Sequence, residues 1–441
     1  MLQILFYVFL LLSTALALPS SSLQLSLQIK DATLDNGLHL IVIEDHAAPI
    51  VSYQTWFNVG SADDPNGKTG IAHLFEHMMF NGTPRFPQGK YDAEIERYGG
   101  ENNAFTDRDY TGYYATIAKE QLELIAKLES DRMAHLIIDP TSLSRERKVV
   151  LEERNLRVDN SLFGKAYETL YLTAFLNSPY RWPIIGLSKD IEGLSVQDCQ
   201  TFFKTFYAPN NATIVIAGDV TFKKAIRLVK KYYGKIKSFP IPSSTRAVDP
   251  PQTEERRVIL RFPAQSEMLL IGYKIPGLKD EDSHALKILA QILFHGASSR
   301  AEQRLLYEKQ LVTSISGDLD IRKDPSLFII VATPHPGVKS EKVMSALEDI
   351  FSDIKRKPVS SEELQKAKNQ RLSSTVESLR TVAGLSSSAA YFQTMYGDYH
   401  RMLTELDRFQ AVKAGQVQKI AQRILENSQR TIVTVVPEKT K

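Results

Sequence analysis

The sequence predicts an α+β fold of two homologous domains, each an α/β roll in which helices pack on an antiparallel-rich sheet. Its 441 residues are more than one hydrophobic core usually holds. A stretch rich in proline, serine and threonine separates two parts of similar length. Both parts show the same order of strand-like and helix-like segments. We therefore predict domains at 25–235 and 258–441, joined by a linker at 236–257.

This shared order rests on hydrophobic patterns. Each part opens with two apolar or alternating runs, continues with a helical period and ends in a β-rich run. The predicted elements of the first part are strands at 38–44, 51–59 and 212–218 and a helix at 70–80. The predicted elements of the second part are strands at 258–262, 268–275 and 430–436 and a helix at 283–293.

The repeat includes short motifs but not the polar residues of the first helix. Phe80-Asn-Gly recurs as Phe294-His-Gly. At the same spacing, three positions of the first helix are replaced in the second: His73, Glu76 and His77 correspond to Lys287, Ala290 and Gln291. Chemistry that needs the first set is therefore confined to the first domain.

The composition is that of a soluble globular protein. Apolar residues make up 43% and charged residues 24%, a balance unlike that of disordered chains. The net charge of +3 is small and no basic stripe is visible, so we expect no nucleic-acid partner. The single cysteine, Cys199, cannot form an intrachain disulfide and is expected to be a small buried residue.

The N-terminal segment has features of a secretory signal peptide. Residues 4–12 are uninterrupted apolar sequence, too short for a membrane span, and Ala15-Leu-Ala17 fits the small-residue pattern before a cleavage site. We predict removal of residues 1–17, export to a bacterial periplasm or to the medium, and no stable membrane span afterwards. A retained anchor is the alternative, because no Lys or Arg precedes the apolar run.

His73-Leu-Phe-Glu76-His77 places three polar side chains on one face of a helix. Residues i and i+4 are neighbours on that surface, so both imidazoles can reach one zinc ion at the usual ~2.0–2.1 Å. The carboxylate of Glu76 between them can contact a water on that ion and act as general base. The spacing predicts a zinc site, with Glu76 as the catalytic residue.

A catalytic zinc ion usually has three protein ligands, so a third must come from elsewhere in the chain. Glu146 and Glu153 lie two turns apart in a predicted helix at 143–160 and share one face. Val149, Val150 and Leu156 fall close to that face, which indicates that it is turned inward, where a carboxylate needs a partner. The spacing does not choose between the two glutamates.

The histidine pair, followed by Glu146 and Glu153, resembles the inverted zinc motif of the pitrilysin/insulinase family of zinc peptidases. Further matching segments cover the chain after its N-terminal segment: 81–83, 98–106, 180–186 and 207–211. Within that family, the chain is most similar to the short, roughly half-length members related to the mitochondrial processing peptidase and found widely in bacteria.

The resemblance implies a zinc endopeptidase with one zinc ion per chain. It implies Glu153 as the third zinc ligand and Glu146 as a nearby carboxylate that orients and tunes the site. It also implies that Asn103, Ala104 and Phe105 lie on an edge strand beside the metal, where a peptide substrate adds as another strand.

In active relatives, the second homologous half supplies an arginine and a tyrosine near the substrate. The corresponding positions here are Tyr307 and Ser314. The resemblance therefore implies a heterodimer, in which this chain is the catalytic subunit and a homologous, metal-less subunit brings the Arg/Tyr pair. Two alternatives remain: a metal-binding structural or assembly subunit without catalysis, and a non-peptidase hydrolase that uses the same metal site.

Overall fold

The computed structural model describes residues 27–242 and 246–438, so the predicted signal peptide at 1–17 lies outside the described residues. The strands of the first sheet are β1 (Gln28–Thr33), β2 (His39–Glu44), β3 (Ile50–Phe57), β4 (Glu101–Thr106), β5 (Thr111–Ala118) and β6 (Ala212–Gly218). They form an open sheet in the order β1-β2-β6-β3-β5-β4. Strands β2 and β6 are parallel, and all other neighbours are antiparallel.

Among the described residues, the second sheet repeats this arrangement without a counterpart of β1. Its strands are β7 (Arg256–Phe262), β8 (Met268–Ile275), β9 (Val312–Leu319), β10 (Ser326–Pro334) and β11 (Arg430–Pro437). Their order is β7-β11-β8-β10-β9, again with one parallel pair, β7 and β11. This order matches β2-β6-β3-β5-β4 strand for strand. The predicted α+β class, with two units of one topology, is confirmed.

Helices cover both sheets. Those of the first half are α1 (Ile71–Met78), α2 (Lys90–Arg97), α3 (Leu122–His135), α4 (Pro140–Arg154), α5 (Leu162–Ala174), α6 (Ser188–Glu192), α7 (Val196–Phe206) and α8 (Phe222–Tyr233). Those of the second half are α9 (Ser283–Phe294), α10 (Ser340–Arg356), α11 (Ser361–Ser378), α12 (Val382–Tyr396), α13 (Arg401–Ala411) and α14 (Ala414–Ile424). Two π-helical turns, Asn155–Asp159 and Glu302–Glu308, follow α4 and α9.

Each half contributes one helix to the sheet of the other half. Helix α5 packs on β7, β8 and β11, where Leu170 is buried in one cluster with Leu270 and Val433. Helix α12 packs on β3 and β6, where Leu385 joins a cluster with Ile41. Each half also has a hydrophobic core of its own, whereas these two clusters combine residues of both halves and so bind the halves into one unit.

The exchanged helices begin in the same way. The hydroxyl of Ser161 accepts the backbone N–H of Gly164 at the start of α5, and the hydroxyl of Thr381 accepts that of Gly384 at the start of α12. A hydroxyl at this position is a common helix start because it satisfies a backbone donor that has no partner within the helix. In both exchanged helices, the capping hydroxyl residue therefore lies three positions before a glycine.

A buried ionic cluster also joins the halves. Arg246, from the predicted linker, lies 3.2 Å from both carboxylate oxygens of Asp63, forms an ion pair with Asp109 and lies 3.3 Å from Asp324. Asp109 is fully buried and Asp63 is largely buried in the first half, whereas Asp324 belongs to the second half and is about half exposed. Because buried charges need partners, this cluster fixes how the halves sit together.

The side chain of Cys199 is buried, and burial raises the pKa of its thiol to about 12, as expected for an unreactive packing residue.

In the part of the chain that is described, none of the helices combines the length and the apolar composition needed to cross a bilayer.

Candidate active site

Helix α1 begins at a glycine held by a buried carboxylate. Asp64 accepts hydrogen bonds from the backbone N–H groups of Gly70, at 2.7 Å, and Ala72, at 3.1 Å. Gly70 has a φ of 89°, which favours glycine. A Cβ at this position would lie 2.4 Å from the carbonyl oxygen of Ile185 and 2.9 Å from Cα of Gly186. Close backbone contact therefore fixes the start of α1.

Three side chains from two helices meet beside α1. His73 and His77 lie one turn apart on α1, and Glu153 lies near the end of α4. Its Oε2 atom is 3.2 Å from Nε2 of His77 and 3.8 Å from Nε2 of His73. One ligand atom from each residue lies within 4.8 Å of the others. Ligands of a tetrahedral zinc ion are about 3.4 Å apart, so the arrangement fits zinc.

The local electrostatics are set by burial and by the contact between the three groups. Burial and the neighbouring His77 lower the pKa of His73 to about 4. The hydrogen bond with His77 lowers the pKa of Glu153 despite partial burial. Burial acts to lower the pKa of His77, but Glu153 outweighs it and raises that pKa. A neutral imidazole and an ionised carboxylate are the forms that bind a metal ion.

The second carboxylate oxygen of Glu153 is engaged by Arg157. Its Nη1 lies 3.0 Å from Oε1 of Glu153, which leaves Oε2 directed at the imidazoles. Arg157 belongs to the π-helical turn Asn155–Asp159. Such turns insert one extra residue into a helix and are frequent at functional sites. Arg157 was not among the residues predicted from the sequence.

Glu76 faces the same cavity as the two histidines. Burial raises the pKa of its carboxyl group, which makes the group a better proton acceptor near neutral pH. The cavity has a volume of about 620 Å³. Its walls are formed by the metal-site residues, the end of β4, the start of α5 and the segment 183–185.

Glu146 lies on α4, two turns before Glu153, and is buried. Its carboxylate accepts a hydrogen bond from Nε of Arg145, at 3.0 Å. Within residues 27–242 and 246–438, it makes no hydrogen bond or ion pair with the two histidines, although its charge contributes to the raised pKa of His77. The orienting role of Glu146 therefore stays a prediction.

The predicted inward orientation of two apolar residues near this face is wrong. Val149 is 45% exposed and Leu156 is 65% exposed, whereas Val150 is buried. Consecutive helix positions are turned by about 100°, so Val150 occupies the inward side and Val149 does not. Leu156 falls in the π-helical turn, where the regular helical spacing no longer applies.

Strand β4 forms an edge of the first sheet, and its only strand neighbour among the described residues is β5. Asn103, Ala104 and Phe105 lie on it and line the cavity. The N–H of Ala104 donates to Oδ1 of Asn103, at 2.8 Å. Edge strands carry backbone groups that another strand can pair with. The predicted substrate residues thus lie on a sheet edge beside the metal-competent residues.

The corresponding helix of the second half, α9, presents different chemistry. Nζ of Lys287 lies 2.8 Å from Oε1 of Glu405, and Nε2 of Gln291 donates to Oε1 of Gln370, at 3.2 Å. Among the described residues, the metal-competent cluster consists of His73, His77 and Glu153, with no equivalent at α9.

The positions that correspond to the Arg/Tyr pair lie away from this cavity in the second half. Tyr307 is exposed in the π-helical turn Glu302–Glu308, and Ser314 is exposed on β9, the edge strand that matches β4. Neither side chain lines the cavity beside α1.

Sequence reasoning missed the residues that position the metal helix. Asp64, Gly70 and Gly186 set its start, and Arg157 engages Glu153. An Asp before a Gly that opens a helix is a weak signal for a cap. The contact between Gly70 and Gly186 joins residues far apart in the chain, so no local pattern could have revealed it.

Comparison with known families and proteins agrees with these features. The family described as "Insulinase (Peptidase family M16)" matches residues 40–186, and the "Peptidase M16 inactive domain" matches residues 193–371. The first match contains the histidine pair and Glu153. The second ends in α11 of the half that lacks the metal residues.

Individual relatives cover almost the whole chain. The zinc protease PqqE of Helicobacter pylori is 29% identical over 421 residues, covering 92% of this chain and 93% of that protein. The probable mitochondrial-processing peptidase subunit beta of Arabidopsis thaliana is 24% identical over 419 residues, covering 92% and 78%. The crystal structure of a protease from Helicobacter pylori has a TM-score of 0.90 and 27% identity, covering 93% of this chain and 100% of that one.

The matched regions, the relatives and the site geometry lead to one assignment. The first family match lies in the first half, the second runs from residue 193 of the first half into the second half, and the relatives share the half-length size. The chain is therefore a zinc metallopeptidase and belongs to the insulinase family, peptidase family M16.

Proposed function

We propose that the chain hydrolyses internal bonds of peptides that bind as an additional strand along β4, with one zinc ion held by His73, His77 and Glu153. The observation that carries this proposal is the presence of an open sheet edge and three metal-competent side chains in one cavity. Backbone pairing would hold the peptide without depending on its side chains. A cavity of about 620 Å³ admits an extended segment but no folded domain.

Zinc bound to these residues would lower the pKa of a water and polarise the peptide carbonyl. Glu76 accepts the proton of the attacking water and then donates it to the leaving amine. Pairing with residues 103–105 holds the scissile bond in place, which reduces the entropic part of the barrier. Arg157 directs Oε2 of Glu153 toward the metal position, and Glu146 adds negative charge behind His77.

We also propose that the active form is a heterodimer with a homologous, metal-less subunit that carries an Arg/Tyr pair. Support comes from Tyr307 and Ser314, which occupy the corresponding positions here and lie outside the cavity. A relative is itself named as a subunit, the beta subunit of a processing peptidase. The single chain is then expected to be weakly active or inactive on peptides. Full peptidase activity of the purified single chain would contradict the heterodimer.

The Glu76→Gln variant tests the catalytic assignment. It should still bind one zinc ion per chain, while peptide hydrolysis together with the partner falls roughly 10²–10⁴-fold, the usual contribution of a general base. The measurements are metal analysis and a fluorogenic peptide assay. Glu152→Gln, an exposed neighbour of Glu153 on α4, is the control and should keep full activity. A normal rate in Glu76→Gln would overturn the assignment.

A metal-binding structural subunit is the second candidate, favoured by the absence of the Arg/Tyr pair from this chain. It predicts that the chain binds zinc, loses zinc in Glu153→Ala, and yet cleaves no peptide with any homologous partner. Purification of partners from the source organism, followed by peptide assays on each mixture, separates the two candidates.

Export of the chain is a further part of the proposal. The apolar segment 4–12 and Ala15-Leu-Ala17 support cleavage after Ala17 and a location in the periplasm or the medium. N-terminal sequencing of the protein from its source organism should give Leu18 as the first residue. A chain that still carries the apolar segment would instead indicate a retained anchor.

A further inference from the structure

The second half has a cavity of its own where the first half has its metal site. It measures about 430 Å³ and lies beside α9, as the metal cavity lies beside α1. Its walls come from α9, the end of β9, α11, α12 and α13, together with Asp107 and Tyr110 of the first half. The volume falls within the roughly 300–1,000 Å³ typical of sites for small ligands.

Lys287 occupies the position of His73, and its positive charge is already paired with a carboxylate. Its Nζ lies 2.8 Å from Oε1 of Glu405, and Nε2 of His284 lies 3.0 Å from Oε2 of the same carboxylate. Burial opposes ionisation of Glu405, but these partners outweigh it and lower its pKa to about 2. Lys287 therefore has no charge to offer to a ligand.

The second cation that lines this cavity, Arg322, is also paired with carboxylates. Arg322 forms ion pairs with Asp320 and with Asp107 of the first half. Arg108 lies 3.9 Å from Asp320 on the far side. The charges of these two arginines and two aspartates balance.

Arg371 is the third cation that lines this cavity. Within residues 27–242 and 246–438, its guanidinium has no hydrogen-bond acceptor and no carboxylate in ion-pair distance, and its Nε is buried. The guanidinium lies over the ring of Phe409, with Cζ 5.1 Å from the ring centroid. It lines the cavity, so the open space is in reach of its donors. Arg371 is only partly buried as a residue, but its buried Nε–H without an acceptor is unfavourable, which favours uptake of an anion.

We propose that this cavity binds a carboxylate group of a peptide through Arg371. An arginine fork matches the two oxygens of a carboxylate. Three carboxylates also line the cavity (Asp107, Asp320 and Glu405), so a singly charged group is favoured over a doubly charged phosphate. The carboxylate is either the free C-terminus of the peptide or an acidic side chain.

The position of the cavity connects it with the cleavage site. Thr106 and Arg108 line the metal cavity, while Asp107 between them lines the Arg371 cavity. The two spaces therefore lie on the two sides of one short segment at the end of β4. The peptide nature of the ligand rests on the proposed function, and the Arg371 site would then select substrates that carry a carboxylate at a set distance from the cleaved bond.

Binding to the zinc-free full chain tests the inference, because the metal cannot then hold the carboxylate. The probes are an N-terminally dansylated tetrapeptide as free acid, its C-terminal amide, and an amide with one Asp. Fluorescence anisotropy should show the free acid or the Asp peptide binding about tenfold more tightly than the plain amide, the effect of one charge-assisted hydrogen-bond pair. The probe that gains affinity identifies the source of the carboxylate.

The Arg371→Gln variant should remove this difference, and Arg371→Lys should keep only part of it, because lysine lacks the planar fork. Arg408→Gln, which changes the same charge at an exposed site on α13, should leave the difference intact. Circular dichroism checks that each variant is folded.

Equal affinity for acid and amide, or a difference that survives in Arg371→Gln, would overturn the proposal, as would stronger competition by inorganic phosphate than by acetate. Since no hydrolysis is measured, these outcomes are independent of the Glu76→Gln result.

Discussion

The two halves share a strand order, yet their corresponding helices present opposite chemistry to the cavities beside them. Helix α1 presents two imidazoles and a carboxylate, and α4 adds Glu153. Helix α9 presents Lys287 and Gln291, which are satisfied by a carboxylate and an amide from neighbouring helices. The strand order is common to both, so topology alone does not decide function. A few side chains determine whether this scaffold carries a metal site or a cavity lined by an arginine that, among the described residues, has no carboxylate within ion-pair distance.

Replacing His77 by Gln gives α1 the residue that α9 has at the same place, and we expect the largest effect. Zinc should fall below one ion per chain and peptide hydrolysis should be lost, because two ligands remain where zinc needs three. Metal analysis measures this. The reciprocal Gln291→His should gain no zinc, since Lys287 is paired with Glu405 and the other neighbour, Gln370, is an amide. Retained zinc in the first variant would break the comparison.

Arg246→Ala tests whether the ionic cluster holds the halves together. It leaves Asp63 and Asp109 buried without their cation, so the free energy of unfolding should fall by about 3–5 kcal/mol. Chemical denaturation measures the change. Arg257→Ala, which removes an exposed ion pair with Glu255, should change the same quantity by less than about 0.5 kcal/mol. Equal effects of the two variants would show that the cluster is not the decisive contact.

Leu170→Ala tests the exchange of helices. Leu170 is fully buried on α5, and a Cβ built on Gly272 of β8 would lie 3.3 Å from its Cδ1 atom. The variant should lose about 2–5 kcal/mol of unfolding free energy. Leu385→Ala, the matched change on α12, should have a similar cost. Calorimetry should show one unfolding transition in both variants, whereas two separate transitions would indicate that the halves have independent cores.

Gly112→Ala and Gly317→Ala are the smallest changes, one in each half, and each brings a new Cβ against an aromatic ring. A Cβ would lie 2.4 Å from the ring of Phe105 in the first case and 2.4 Å from the ring of Phe294 in the second. Each should destabilise the fold by about 1–3 kcal/mol through overpacking. Peptide hydrolysis at fixed zinc content should fall only in Gly112→Ala, because Phe105 lines the metal cavity. An equal fall in both variants would contradict the role of β4.

Local sequence patterns were sufficient to predict the repeat and the helix that carries the two histidines, α1. Alternating and apolar runs gave the strands that open and close each half, and the helical spacing of His73, Glu76 and His77 placed them on one face. Both signals are local, because strand and helix periods act over a few residues. The inverted motif and the family resemblance then pointed to Glu153, which helical spacing could not separate from Glu146.

Other features were decided only by tertiary contacts. The exchange of α5 and α12, the cluster around Arg246 and the contact between Gly70 and Gly186 each join segments that are distant in the chain. The outward orientation of Val149 and Leu156 also escaped prediction, because it depends on which side of α4 packs on the core and on a π-helical turn.

The sequence by itself thus determined the repeat, the metal-binding side chains of α1 and their loss from α9. The tertiary structure decided which carboxylate meets the histidines, which sheet edge borders their cavity, and that the buried Nε of Arg371 finds no acceptor among the described residues. The physical reason is the distance along the chain over which each kind of contact acts. Spacing along a helix fixes which neighbouring side chains share a face, whereas distances between elements, and the burial that sets their charges, arise only when the two halves pack together.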